Sequence, residues 1–299
     1  MPAKFMKQIH LAVGAILLAA WFALRITGCS IWSRPDPANL LMGNPSQAKH
    51  GLFQWNNFLL EKRHFALSYN NRKGIPNWVS WRLSKKDVGS APRKEFHPEP
   101  DLPFWFTQIT PSDYTGSGFD RGHLCPHSDR SADDDMSYET FSMANMIPQS
   151  PRVNEKAWAQ LETYCRELVE HEHKTLYIID GPAGQGGTGR DGFKEEAGRQ
   201  HQVVVPAKCW KVIMVLDAGE GNDSARVSAN TRIISVIIPN DMSVGENWSG
   251  FRVSVKEIET LTGYKFFDRI PASVIEPLKT RVDSQVIPHA KSVFHGPLN

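Results

Sequence analysis

Apolar residues recur along most of the chain with the spacing of strands, and in one long segment with the spacing of a helix. Residues 59–67 and 78–83 are rich in apolar side chains and flank the turn-forming run 70–74, so they predict two strands of a hairpin. Later segments that are β-branched and apolar predict further strands at residues 175–179, 202–205, 210–216 and 232–238.

Residues 155–169 carry apolar side chains at three- and four-residue intervals, which predicts an amphipathic helix. Asn154, Trp158, Glu162 and Arg166 follow one another in four-residue steps, so they occupy one broad stripe of this helix. An amide, a carboxylate and a guanidinium would then line one side of it. The residues alone also allow a simpler interpretation, in which Asn154 caps the helix and Glu162 forms an ordinary surface ion pair with Arg166.

Shorter signals complete the pattern. Residues 255–261 predict a short helix before Gly263, and the acidic run 133–135 is expected to cap a helix that begins near Met136. The glycine-rich run 181–192 lacks the Gly-Lys-Ser/Thr ending of a phosphate-binding loop, so we predict a long surface excursion there. The residues after Pro271 predict no particular element.

The first 29 residues differ in kind from the rest. Two lysines precede an uncharged apolar run at residues 11–24, which has the length of a signal-peptide core and is short for a membrane span. Residues 26–29 resemble the lipobox at which bacterial lipoproteins are cut and acylated, here on Cys29, although Arg25 lies unusually close to it. A lipoprotein signal, an uncleaved anchor, ordinary cleavage and a mitochondrial address stay open. In all four cases the folded part lies outside the cytosol, and the expected location is extracytoplasmic, that is periplasmic, secreted or membrane-anchored.

Length and composition favour a single folded domain. The chain has 299 residues, 40% of them hydrophobic, which suffices for one large core. We find no internal linker or repeat, so the expected organisation is the N-terminal segment 1–29, a proline-containing tether at 30–45 and one domain at 46–299.

The charge balance limits how the protein could bind nucleic acid, and the cysteine count limits its disulfides. Residues 1–29 hold three of the 34 Lys and Arg and none of the 32 Asp and Glu, so their removal leaves 31 basic against 32 acidic residues. This balance excludes a globally basic nucleic-acid coat, and any affinity for phosphate must come from a local group of arginines. Cys125, Cys165 and Cys209 permit at most one internal disulfide, and three buried thiols are an equally good interpretation.

The candidate chemistry centres on residues 119–126, which we interpret as a reactive loop or strand end. His123 is the side chain there best suited to move a proton near neutral pH. Gly122 would leave room for whatever approaches this histidine. Arg93 belongs to a basic cluster at residues 82–94, a pattern that by itself is typical of a solvated face.

The run Asp-Arg-Gly-His at 120–123, the run Asn-Met-Ile-Pro-Gln at 145–149 and the helical segment 154–162 together resemble the DNA/RNA non-specific endonuclease family with a ββα-metal site. The likeness extends from about residue 39 to about residue 267 and covers nearly the whole folded part. It implies an α+β fold, the ββα-metal nuclease fold, with a central mostly antiparallel sheet and flanking helices.

The resemblance also implies an activity, which is metal-dependent hydrolysis of phosphodiester bonds in DNA and RNA. In this likeness Asn154 is the only direct protein ligand of one divalent cation, with water in the other positions. A neutral oxygen ligand of this kind suits Mg²⁺, or Mn²⁺, better than Zn²⁺. The implied roles are general base for His123, orientation of water for Glu162, phosphate neutralisation for Arg93 and Arg166, and support of the site for Arg121, Asn145 and Asp120.

Two alternatives from other classes stay open at this point. One is a catalytically silent nucleic-acid-binding protein on the same fold. The other is a thiol hydrolase that uses Cys125 or Cys165 with His123 or His127. The N-terminal segment adds a membrane as an expected partner, and the sequence leaves a homodimer open.

Overall fold

The computed structural model describes residues 35–198, 202–219 and 221–287. The predicted export or anchor segment, including Cys29, lies outside these described residues, as does the first part of the tether. Across the described ranges no helix has both the length and the apolar character that crossing a membrane requires.

Extended segments of the described residues form one large sheet and three small two-stranded sheets. In chain order the strands are β1 Phe58–Glu61, β2 Ala66–Asn70, β3 Ile75–Leu83, β4 Asp120–His123, β5 Met146–Gln149, β6 Lys174–Ala183, β7 Gly187–Gly189, β8 Gly192–Lys194, β9 Glu196–Ala197, β10 Val203–Val204, β11 Lys208–Asp217 and β12 Arg232–Pro239. The large sheet has the order β1-β2-β3-β6-β11-β12, and each neighbouring pair is antiparallel. The predicted mostly antiparallel central sheet is therefore confirmed.

The prediction of one strand at residues 59–67 is wrong, because the chain turns in the middle of this segment and forms β1 and β2. Lys62 at the turn directs its buried ammonium to Glu99 and Asp101, at 2.8 and 3.0 Å, rather than continuing the strand. A buried ammonium needs carboxylate partners, and Glu99 and Asp101 both lie outside the sheet. The predicted turn at 70–74 does connect β2 to β3 in a hairpin.

Side chains alternate across the sheet and fill two apolar cores, one on each face. Trp78 and Trp81 of β3 are three residues apart, so they point into opposite cores. Trp81 packs in the first core with Trp158, whereas Trp78 packs in the second with Trp210 and Phe266. Each of these rings is almost fully buried, and burial of one such side chain stabilises the fold by about 1.5–3 kcal/mol.

Helices cover both cores. Within the described residues the α-helices are α1 Asp134–Thr140, α2 Ala159–Glu170, α3 Val255–Thr262 and α4 Ala272–Lys279. The Asp133 carboxylate accepts a hydrogen bond from the Met136 amide at 2.8 Å, so the predicted capping role of the acidic run is confirmed, although α1 begins at Asp134. The short helix predicted before Gly263 is confirmed as α3, and Gly263 ends it in the left-handed conformation. Helix α4 was not predicted, and it contains Pro277.

The glycine-rich run 181–192 is more ordered than the predicted surface excursion. Its first residues extend β6 to Ala183, and the remainder forms the hairpin of β7 and β8. Arg190 lies at the turn of this hairpin and points to the ββα part of the molecule, where it contacts Asp120.

Candidate active site

A small hairpin followed by a helix forms the framework of the site. β4 and β5 pair antiparallel, with Gly122 opposite Ile147 and His123 opposite Met146. The chain then passes through the π-helical turn Val153–Trp158 and continues directly as α2. This arrangement is a ββα unit, and it packs on the first core.

Gly122 allows the close approach of the two strands of this unit. A Cβ at this position would lie 2.6 Å from the Cβ of Gln149, closer than side-chain atoms come in proteins. The sequence suggested that this glycine leaves room for a reactant near His123. The structure shows that the space is taken by Gln149 instead, so the role of Gly122 is to permit the packing of β4 against β5.

His123 sits between aromatic rings at the end of β4. Its ring centroid lies 5.5 Å from that of Phe96 and 5.0 Å from that of Phe141. The Nε2 atom is buried and has no hydrogen-bond partner among the described residues. Loss of solvent first, and then the positive charges of Arg93 and His127, together lower the pKa of His123 to about 3. The imidazole is therefore neutral at pH 7 and able to accept a proton.

Asn154 is held by a carboxylate on β4. Its Nδ2 donates a hydrogen bond to Oδ2 of Asp120 at 3.0 Å, and the other Asp120 oxygen pairs with Arg190 at 3.1 Å. Asn154 Oδ1 accepts no hydrogen bond from any described residue, so this oxygen is available to a ligand. The simpler interpretation of Asn154 as a helix cap is wrong, because the residue lies inside the π-helical turn.

Glu162 lies in the first turn of α2 with its side chain 14% exposed. Burial raises its pKa to about 7, although the charges of Lys211 and Arg166 act in the opposite direction. Arg166 does not pair with Glu162 as the simpler interpretation held. Its guanidinium instead meets Asp129 at 3.1 Å, and Asp129 is almost fully buried.

The stripe predicted for the helix is correct in part. Asn154, Glu162 and Arg166 are all partly exposed, whereas Trp158 between them is buried in the first core. The π-helical turn changes the rotation per residue over Val153–Trp158, so uniform four-residue steps do not describe this part of the helix.

Two arginines lie beside the aromatic pocket of His123. The Arg93 guanidinium is 5.1 Å from the centre of the Phe141 ring, and that of Arg121 is 4.9 Å from the centre of the Phe96 ring. Neither arginine forms an ion pair with a carboxylate among the described residues. Both therefore present positive charge to an incoming anion, and Arg93 does so from an exposed position.

Asn145 is fully buried and acts within the protein. Its Oδ1 accepts a hydrogen bond from the Cys125 amide at 2.9 Å, and its Nδ2 donates to the carbonyl groups of Cys125 and Thr140 at 2.8 and 2.9 Å. These bonds satisfy the whole amide and fix the chain just after His123. The structure thus places Asn145 behind the site, out of reach of a substrate.

Three charged residues near the site were not found from the sequence. Arg190 contacts Asp120 from the β7–β8 hairpin, whereas Lys211 and Asp180 lie under α2 on adjacent strands of the large sheet. The available signal for Lys211 was a lysine inside an otherwise apolar strand. No comparable signal marked Arg190, whose approach to the site depends on the tertiary fold.

The cysteines do not offer a nucleophile. Cys125, Cys165 and Cys209 are all buried and unpaired, so of the two interpretations that the sequence left open, one internal disulfide or three buried thiols, the second is correct. Burial raises the pKa of Cys165 and of Cys209 to about 12, and it also raises that of Cys125 well above the usual value. Protonated thiols of this kind do not support the thiol hydrolase alternative.

The oxygen donors around α2 fit a hard divalent cation bound mainly through water. No group of three His, Cys, Asp or Glu side chains in the described part of the chain is placed to hold a metal ion. The free Oδ1 of Asn154 is oriented by Asp120, and the carboxylate of Glu162 follows two turns later. One amide oxygen with nearby carboxylates is a donor set that suits Mg²⁺ or Mn²⁺.

A neutral histidine on β4, an oriented amide oxygen at the start of the helix and unpaired arginines beside them define a ββα-metal nuclease. The model of the DNA/RNA non-specific endonuclease family matches residues 44–273, and the chain belongs to that family. Phosphodiester hydrolysis in DNA and RNA without sequence specificity is its activity, and the family uses a divalent metal ion.

Several relatives support this assignment. A nuclease of Nostoc sp. is 40% identical over 282 residues, which is 91% of this chain and 98% of the relative. The mouse mitochondrial nuclease EXOG is 32% identical over 275 residues, 87% of this chain and 72% of the relative. A nuclease of Serratia marcescens is 26% identical over 230 residues, 75% of this chain and 80% of the relative.

The fold is shared with a solved structure. The crystal structure of the EndoG/EndoGI complex, described in terms of EndoG inhibition, contains a chain that superposes with a TM-score of 0.64 at 24% identity. The match covers 81% of this chain and 96% of that chain. The predicted α+β fold is therefore confirmed.

Proposed function

We propose that His123 is the general base of this nuclease and that Asn154 holds a Mg²⁺ ion at the start of the helix. The hydrogen bond of 3.0 Å between Asp120 and Asn154 is the main support, since it joins the strand that ends in His123 to the helix that carries Glu162. When bound, the cation would supply positive charge at the phosphate and lower the cost of the negative charge that develops there.

The protein's own groups would perform the remaining tasks. His123, neutral at working pH, takes the proton of the attacking water through one of its ring nitrogens. Arg93 holds a non-bridging phosphate oxygen, since it is exposed and has no carboxylate partner among the described residues. Arg121 adds positive charge from its place on the Phe96 ring. Glu162 accepts hydrogen bonds from water on the same side of the helix.

The roles of Arg166 and Asn145 differ from those of groups that contact the substrate directly. The phosphate-neutralising role expected for Arg166 is weakened by its ion pair with Asp129, which reduces the charge it can offer. We assign it first to fixing α2 against the Asp129 loop. Asn145 and Asp120 act as supports, the first for the chain after His123 and the second for the amide of Asn154.

The test is cleavage of plasmid DNA and of RNA by the purified protein, with Mg²⁺, with Mn²⁺ and with EDTA. Both substrates should be degraded only when a divalent cation is present, and full activity in EDTA would contradict the proposal. His127→Ala is a matched control for His123→Ala, because both rings contact Phe141 but His127 bonds the Ala91 carbonyl at 3.2 Å. Only the His123 variant should lose turnover.

For the location, we propose an extracytoplasmic nuclease attached to a membrane through a lipid on Cys29. The lipobox-like residues 26–29 after the apolar run 11–24 support it. Mass spectrometry of the intact protein decides between the alternatives. A mature chain that begins with acylated Cys29 is expected, whereas an unmodified Cys29 with residues 1–28 still attached would leave the membrane anchor as the better interpretation.

A further inference from the structure

A buried lysine lies under the helix that carries Glu162. Lys211 is 1% exposed and belongs to β11, where the alternation of side chains places it in a row with Cys209, Ile213 and Val215. The neighbours in this row are apolar members of the first core. A charge in such a row is costly, because burial removes the water that would otherwise stabilise it.

The Lys211 ammonium faces two carboxylates. Asp180 is its direct cross-strand neighbour on β6 and lies 3.0 Å away, fully buried. Glu162 lies 3.8 Å away on α2. The ammonium also lies 4.3 Å from the ring centre of Trp158 and 5.2 Å from that of Trp81, so its path from sheet to helix is lined by aromatic faces.

Stability alone gives a poor account of this arrangement. Buried ion pairs are often replaced by apolar side chains of similar volume without loss of stability. Asp180 would suffice to neutralise Lys211, yet the ammonium also lies 3.8 Å from Glu162, the acidic residue of the helix stripe that carries Asn154. The arrangement connects the large sheet to the side chain that we assign to water orientation.

We propose that Lys211 is a positioning residue of the nuclease, which holds the carboxylate of Glu162 in place through their 3.8 Å contact while Asp180 anchors the ammonium at 3.0 Å. This rests on the proposed role of Glu162. The other charges that face Glu162 are Arg166 on the same helix and Asp129 from the loop after β4. Arg166 and Asp129 form an ion pair with each other at 3.1 Å, whereas the ion-pair contact of Glu162 is with Lys211.

The experiment removes the charge without changing the packing. Lys211→Met keeps the length of the stem, and the double variant Lys211→Met/Asp180→Asn also avoids leaving a buried, unpaired carboxylate. The double variant should fold with a melting temperature close to wild type. Its pH–rate profile should move to higher pH by about one unit or more, since an opposite charge within about 4–6 Å has an effect of that size on a carboxyl group. Its affinity for Mn²⁺, measured by calorimetry at pH 7, should fall as well.

Lys279→Met is the matched control, because Lys279 is a buried lysine on α4 paired with Glu259 at 2.9 Å in the second core. It should lower the melting temperature and leave both the pH–rate profile and Mn²⁺ affinity unchanged. The double variant would overturn the proposal if it kept the wild-type profile and Mn²⁺ affinity. A double variant that did not fold would overturn it too, because the pair would then serve the fold itself.

A mutant cycle that combines Glu162→Gln with the Lys211→Met/Asp180→Asn substitutions tests this proposal separately from the proposed function. If Lys211 acts through Glu162, the double substitution should lower the rate of the Glu162→Gln variant no further. An additive loss would show that Lys211 acts elsewhere. Wild-type activity in Glu162→Gln itself would instead refute the role of Glu162 in the nuclease mechanism.

Discussion

The two titrating groups of the site have pKa values displaced in opposite directions, and this predicts which of them controls activity in acid. Burial raises the pKa of Glu162 to about 7 and lowers that of His123 to about 3. Below pH 7 the ionised fraction of Glu162 falls tenfold per unit, so at pH 5 it is about 1%. The histidine stays neutral throughout this range. The loss of activity in acid should therefore result from protonation of Glu162.

The perturbation is Glu162→Gln, and the assay is the pH dependence of kcat/KM between pH 5 and 8 at a fixed, low Mg²⁺ concentration. Wild type should lose about 10²-fold between its plateau and pH 5, whereas the variant should be slow but almost independent of pH. Raising Mg²⁺ should shift the wild-type limb to lower pH, because a nearby cation favours the ionised carboxylate. A variant that retains an acid limb near pH 6.5 would show that His123 titrates there, and the reasoning would be wrong.

Three further predictions concern single positions. His123→Ala should lower turnover by about 10²-fold or more and still bind DNA, which a gel-shift assay checks, and a wild-type rate would place the base elsewhere. Asn154→Ala should lose activity that added Mg²⁺ partly restores, and no recovery at any Mg²⁺ concentration would make Asn154 a structural residue. Gly122→Ala should lower the free energy of unfolding by about 1–3 kcal/mol through overlap with Gln149, whereas Gly250→Ala, with open space around it, should have little effect. Equal stability of the two alanine variants in urea would refute that account.

The parts of the site that are local in sequence could be predicted, since the ββα unit lies within one continuous segment. The run 120–123 and the start of the helix at Asn154 are about 30 residues apart, and the family motif spans both. Lys211 and Asp180 could not be assigned in this way. Their place under Glu162 depends on the register between β6 and β11 and on how α2 packs across the sheet.

The errors in secondary structure have similar physical causes. The segment 59–67 was predicted as one strand because apolar residues stand at both of its ends, but the polar run 61–64 interrupts them where the chain turns from β1 to β2. The buried ammonium of Lys62 in this turn pairs with Glu99 and Asp101, which are far away in sequence. Helix α4 contains Pro277, which normally argues against a helix, and its apolar face is stabilised by the second core. Strands β11 and β12, which are β-branched and apolar over most of their length, were predicted nearly in full.

The π-helical turn Val153–Trp158 affects how this site can change length during evolution. Such a turn bonds residues five apart where an α-helix bonds residues four apart, so it amounts to one additional residue in the helix. Loss of a single residue there, for example Lys156, would allow a regular α-helix with better backbone geometry. The same loss would leave the helix on either side in the same rotation, because the π-helical turn absorbs the additional residue, but it would narrow the turn that carries Asn154 and so displace its amide relative to Asp120. Selection for the contact between Asn154 and Asp120 would then oppose selection for the more stable, shorter helix.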